Sequence, residues 1–148
     1  MIDADATAVE TAVMYEWSMG YTMVRGSVAL ARAHTRRRLS EWDWRGDADD
    51  AVLIVSELVT NAIAHGRRAR HELRLKLAML KSGQLVVEVS DPVAELPSLD
   101  RTDGPGDDEE HGRGLLVVRQ LAGEIHWFAR EHVGKTVRVV LTVESPSK

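Results

Sequence analysis

From Asp47 to Gly66, the apolar residues Val52, Val55, Leu58, Val59 and Ala62 recur at helical spacing. This predicts a helix with one buried face. Asp47 suits the N-cap, Asp49 and Asp50 fall in the first turn, and Gly66 reads as the stop. Upstream, Val13, Tyr15, Trp17, Met19, Tyr21 and Met23 place a large side chain at every second position. That alternation predicts a half-buried strand from Ala12 to Met23. A second helix is expected from Val24 to Trp44, with Val28, Ala31, Leu39 and Trp42 as a partial stripe and a break at Arg45-Gly46. From His71 to Leu80, Leu73, Leu75, Leu77 and Met79 alternate with Glu72, Arg74 and Lys76. With the turn Lys81-Ser82-Gly83-Gln84 and the run Leu85 to Ser90, this predicts a hairpin.

Periodicity is lost from Pro92 to Glu110, which carries Pro92, Pro97, Pro105, Gly104, Gly106 and the acidic run Asp107 to Glu110. Such a stretch inside a small domain is a functional loop or a disordered one. A helix is expected from Gly112 to Ala122, stopped by Gly123. A strand from Glu124 to Glu131, a turn at His132-Val133-Gly134 and a last strand from Lys135 to Val143 follow. Residues 1–10 and the tail from Ser145 read as loose.

The 148 residues, 44% hydrophobic and 28% charged, fit one globular domain with a single core over 1–148. A net charge of −4 argues against a bulk polyanion binder. Arg36-Arg37-Arg38 with Arg67, Arg68 and Arg70 forms either a solvated face or a phosphate or nucleic-acid patch; the lack of interleaved aromatics favours the former. The absence of cysteine removes disulfides, thiolate metal sites and cysteine nucleophiles. The acidic start lacks a signal-peptide pattern and no run is long enough for a bilayer, so the expectation is a cytoplasmic protein with no membrane contact.

The chemistry concentrates in four places. Glu57 and Asn61, four apart, share one stripe of the predicted helix, with Thr60 and His65 close to the same side. Asp91 ends a strand, as a turn former before Pro92 or as an acceptor for a ligand amine. Gly112-x-Gly114 opens a helix, where backbone N–H groups and the dipole suit phosphate, although a plain loop-to-helix joint has the same pattern. Thr136 follows the turn glycine Gly134. The dinucleotide fingerprint fails because residue 117 is Val, and Gly134-Lys135-Thr136 lacks the upstream glycine of a Walker loop.

In this order the four places resemble the boxes of the GHKL ATPase family, the fold of histidine kinases, gyrase-type ATPases and Hsp90. The resemblance is closest to the anti-sigma-factor serine kinases of RsbW and SpoIIAB type. Glu57 to Gly66 is similar to the N box, Ser90-Asp91 to G1, Gly112 to Leu115 to G2, and Gly134 to Val137 to the final Gly-x-Thr box. The resemblance implies an α+β Bergerat fold: a two-layer sandwich with a mixed, mostly antiparallel sheet on about three helices. It implies ATP and Mg²⁺ as cofactors, with Asn61 on the metal and Glu57 as general base. ATP contacts would come from Asn61, His65, Asp91 (adenine amine), Gly112, Arg113, Gly114 and Leu115 (phosphates) and Thr136 (adenine network), under a lid over 92–111. Partners would be a sigma factor or a STAS-type anti-anti-sigma protein, without direct nucleic-acid contact, and a homodimer fits the family. One box departs: the family's Asp-x-Gly is here Asp91-Pro92-Val93, so a side chain narrows the base pocket or shifts Asp91. That departure keeps open an alternative, a non-catalytic or weakly nucleotide-binding module that sequesters a protein partner.

Overall fold

The computed structural model describes residues 12–66, 71–93, 118–121, 124–129 and 134–143. Strand β1 (Val13–Thr22) leads into helices α1 (Gly26–Glu41) and α2 (Ala48–Gly66), then β2 (Glu72–Leu80), β3 (Leu85–Asp91), β4 (Glu124–Ala129) and β5 (Lys135–Leu141). Residues 118–121 are also helical. The five strands form one sheet in the order β1-β2-β3-β5-β4. The expected α+β two-layer architecture is borne out. The expected mixed sheet is not seen among the described strands, where every pairing is antiparallel. The reason lies in the connections: β2 and β3 form a hairpin, and β5 turns back between β3 and β4.

Helix α2 forms where the apolar period placed it. Its N-cap is Asp47, whose Oδ1 accepts the Asp50 backbone N–H at 3.1 Å. The helix buries Ala51, Ile54, Val55, Leu58, Val59 and Ala62 against the inner face of the sheet. That face carries Leu73, Leu75 and Leu77 of β2, Leu85, Val87 and Val89 of β3, and Val137, Val139 and Leu141 of β5. Val118, fully buried, joins the same core. Period-2 alternation is what gathers these strand residues on one side.

Helix α1 keeps its expected stripe, with Ala31 and Leu39 in the core and Val28 and Trp42 packed against it, and adds two buried hydroxyl residues. Its buried residues are Ser27, Ala31, Thr35 and Leu39, one per turn. Small residues let it lie close to α2, and the two hydroxyls are satisfied by backbone: Ser27 Oγ donates to Thr22 O at 2.6 Å and Thr35 Oγ1 to Ala31 O at 2.8 Å. Met79, half-buried, packs against the same core as Leu73, Leu75 and Leu77, as expected, while Ala78 and Leu80 of the opposite face are also buried. There the β1 register shifts between Val13 and Tyr15, and Val13, Ala78, Leu80, Val86 and Val140 line a shallow apolar groove on the outer face.

The aromatic row of edge strand β1 is tied to α1. Tyr15 stacks on Trp42 with ring centroids 5.7 Å apart, and Arg38 lies over the Trp17 ring at 5.5 Å. Tyr21 Oη meets His34 Nδ1 at 2.6 Å. The arginine run is engaged on the surface: Arg36 with Asp49 at 2.8 Å, and Arg37 and Arg38 with Glu41 at 3.3 and 3.2 Å. It thus takes the solvated-face reading; Arg67, Arg68 and Arg70 lie outside the described residues. No helix among the described residues is long and apolar enough to cross a membrane.

Burial pushes the Tyr21 phenol up to about 12, against a smaller lowering by Arg38. The sign follows directly. The fold favours the neutral phenol, so its stabilising contribution is complete below the ordinary tyrosine value and is lost as pH rises through about 12. Tyr21→Phe is therefore expected to flatten the alkaline fall in stability above about pH 10, measured by denaturant titration at stepped pH.

Candidate functional site

The helix α2 stripe is where the sequence put it. Asn61 is 9% exposed and Glu57, one turn earlier, is half-buried. Neither side chain has a hydrogen-bond or ion-pair partner among the described residues, in contrast to the paired surface arginines. Only Arg38 Nε is a buried side-chain polar atom without a partner among the described residues, so the Asn61 carboxamide keeps contact with solvent at the edge of the core and stands open to an incoming group. It suits a ligand contact. Thr60 and His65 are both exposed.

At the far end of β3, Asp91 is 2% exposed. Its Oδ1 accepts the Val93 backbone N–H at 2.8 Å, so the aspartate does cap the turn made with Pro92. It does more than that. Antiparallel register places Asp91 opposite Lys135, both on the inner face with Val89 and Val137. Lys135 Nζ lies 3.0 Å from Asp91 Oδ1, 2.9 Å from Oδ2 and 3.1 Å from the Val93 carbonyl oxygen. The two side chains are 4% and 2% exposed, so this is a buried ion pair.

Thr136 takes the other face. Its Oγ1 lies 2.7 Å from Ser90 Oγ, its cross-strand neighbour. The residue after the turn glycine that reaches Asp91 is therefore Lys135. Sequence reasoning missed it, although two signals were present. Counting back by twos from Leu141, Val139 and Val137 puts residue 135 on the buried side. A charged residue there requires an opposite charge.

Gly134 makes the pairing possible. Its φ is +84°, and a Cβ there would overlap the carbonyl of Asp91. Gly134→Ala is expected to cost about 2 kcal/mol or more, from left-handed strain and this overlap, read as a lower denaturation midpoint. The remaining predicted residues, Gly112, Arg113, Gly114 and Leu115, lie outside the described residues. So do residues 94–111 of the expected lid; Pro92 is buried and Val93 half-buried.

A family model described as "Histidine kinase-like ATPase domain" matches residues 24–141. No curated protein matches the chain. Among solved structures, the RsbU and RsbW domains of Rv1364c from Mycobacterium tuberculosis superpose with a TM-score of 0.66 at 18% identity, over 91% of this chain and 34% of that one. The chain thus spans about a third of that relative's length. The SiaB-SiaC complex from Pseudomonas aeruginosa gives a TM-score of 0.62 at 13% identity, over 93% of this chain and 95% of that one. At these identities the likeness is one of fold.

Proposed function

The chain belongs to the histidine kinase-like ATPase domain family, and from that premise we propose that it is an ATP- and Mg²⁺-dependent serine/threonine protein kinase regulating transcription by partner switching. It would act as an anti-sigma factor, holding a sigma factor or a STAS-type anti-anti-sigma protein, the latter as phosphoryl acceptor. The carrying observation is Asn61, nearly buried and without a partner among the described residues, one turn from Glu57, which likewise has none among them. The two fold relatives supply context: one structure contains an RsbW domain beside an RsbU domain, and the other holds SiaB with SiaC.

When bound, Mg-ATP supplies the transferable γ-phosphoryl group. The Asn61 carboxamide oxygen suits a hard cation, and magnesium carried largely by nucleotide phosphates needs only one or two protein ligands. Glu57 would take the proton from the acceptor hydroxyl as its oxygen bonds to phosphorus and the bond to ADP breaks. Asp91 would face the adenine amine, with Thr136 holding the strand pair from the opposite face through Ser90. His65 and residues 112–115 would meet the phosphates, under a lid over 92–111. A cytoplasmic location and a homodimer fit this reading.

The Lys135–Asp91 pair favours a second reading, a regulatory module that binds nucleotide weakly and sequesters its partner without chemistry. Calorimetry with ATP and ADP, with and without Mg²⁺, followed by transfer of labelled phosphate to a STAS-type protein, separates the two. Metal-dependent binding with label transfer supports the kinase. Partner binding without transfer refutes it in favour of the module.

A further inference from the structure

We propose that Lys135 is a specificity-determining residue that neutralises the base-reading end of the nucleotide site, so that this chain recognises the phosphates of a nucleoside triphosphate and discriminates little between purines. The inference rests on the nucleotide-binding reading above. It starts from what Asp91 can still do. A free carboxylate accepts a hydrogen bond from the exocyclic amine of adenine and repels the carbonyl oxygen that guanine carries at the same position. Asp91 is not free: both of its oxygens lie within 3.0 Å of the Lys135 ammonium, and Oδ1 also holds the Val93 N–H. Its charge is offset, so attraction for the amine and repulsion of the carbonyl both weaken.

The ammonium cannot serve as the reader in its place. Its donors are directed to the two Asp91 oxygens and to the Val93 carbonyl. Nor can it swing aside at low cost. Lys135 is 3% exposed, its backbone is locked in register with Asp91, and Gly134 brings the strand start against the Asp91 carbonyl. An ammonium leaving this pair would be buried and alone, or would have to unzip the end of β5. The pair therefore stays closed when nucleotide is bound.

The test is calorimetric titration of the full chain with the magnesium complexes of ATP, GTP and inorganic tripolyphosphate, repeated on Lys135→Thr and Lys135→Met. The parent chain is expected to bind ATP and GTP within about tenfold of each other. Removing the ammonium returns a charge-assisted acceptor to the amine, so the variants should widen the ATP-over-GTP ratio by about ten- to a hundredfold. A parent preference for ATP above about a hundredfold overturns the proposal, and this arm needs no variant to fold. An unchanged ratio in a folded variant overturns it as well. Absence of binding by all three ligands to the parent overturns the nucleotide reading itself, an outcome distinct from selective ATP binding.

Discussion

Glu57→Ala is expected to bind Mg-ATP with the parent's affinity and to transfer phosphate at least about a hundredfold more slowly, the usual contribution of a positioned general base. The side chain is half-buried and lacks a partner among the described residues, so its removal leaves no orphaned group and little structural cost. Asn61→Ala is the complementary case: metal-dependent binding is lost outright while the fold persists, because the carboxamide likewise supports no neighbour among the described residues. Single-turnover transfer and calorimetry on the two variants measure these effects separately. Equal transfer by the parent and the Glu57 variant would refute the base assignment.

Asp91→Ala should have the largest effect on stability, a loss of about 3–5 kcal/mol, because it leaves the Lys135 ammonium buried without its counter-charge. The side chains are 2% and 4% exposed, so solvent offers little relief. The double replacement Asp91→Leu with Lys135→Met is expected to recover most of that loss, since apolar side chains of similar size replace a buried pair at small cost. Denaturant unfolding of the single and double variants decides it. A double variant as unstable as Asp91→Ala alone would mean that the corner is held by the Val93 N–H contact instead of the charge pair.

The core was legible because burial imposes a period. Val55, Leu58, Val59 and Ala62 of the α2 stripe, the Leu73-Leu75-Leu77 row and the Val137-Val139-Leu141 row occupy the inner layer where counting put them, and Val52 is buried outside that cluster. In helix α1 the stripe of Val28, Ala31, Leu39 and Trp42 was legible, but the burial of Ser27 and Thr35 was not, because hydroxylated residues leave no apolar signal. The burial of Ala78 and Leu80 on the other face of β2 was not legible, because it lies beside the β1 bulge, and a bulge in one strand leaves no mark in its neighbour's sequence. Of the candidate site, residue type and order pointed to Glu57, Asn61 and Asp91, which lie within the span 24–141 of the family match. The Lys135 contact was not legible, because it depends on which β3 residue faces which β5 residue, a register fixed only once both strands pair in the sheet.

Ionic strength should divide the charges of this molecule into two groups. The exposed bridge between Arg36 and Asp49, which joins the two helices, lies within reach of counter-ions and fades as salt is added. The Asp91 carboxylate and its lysine are shielded by the packed sheet and are screened far less. Added salt should therefore lower the stability contributed by the helix bridge and leave that of the buried corner in place.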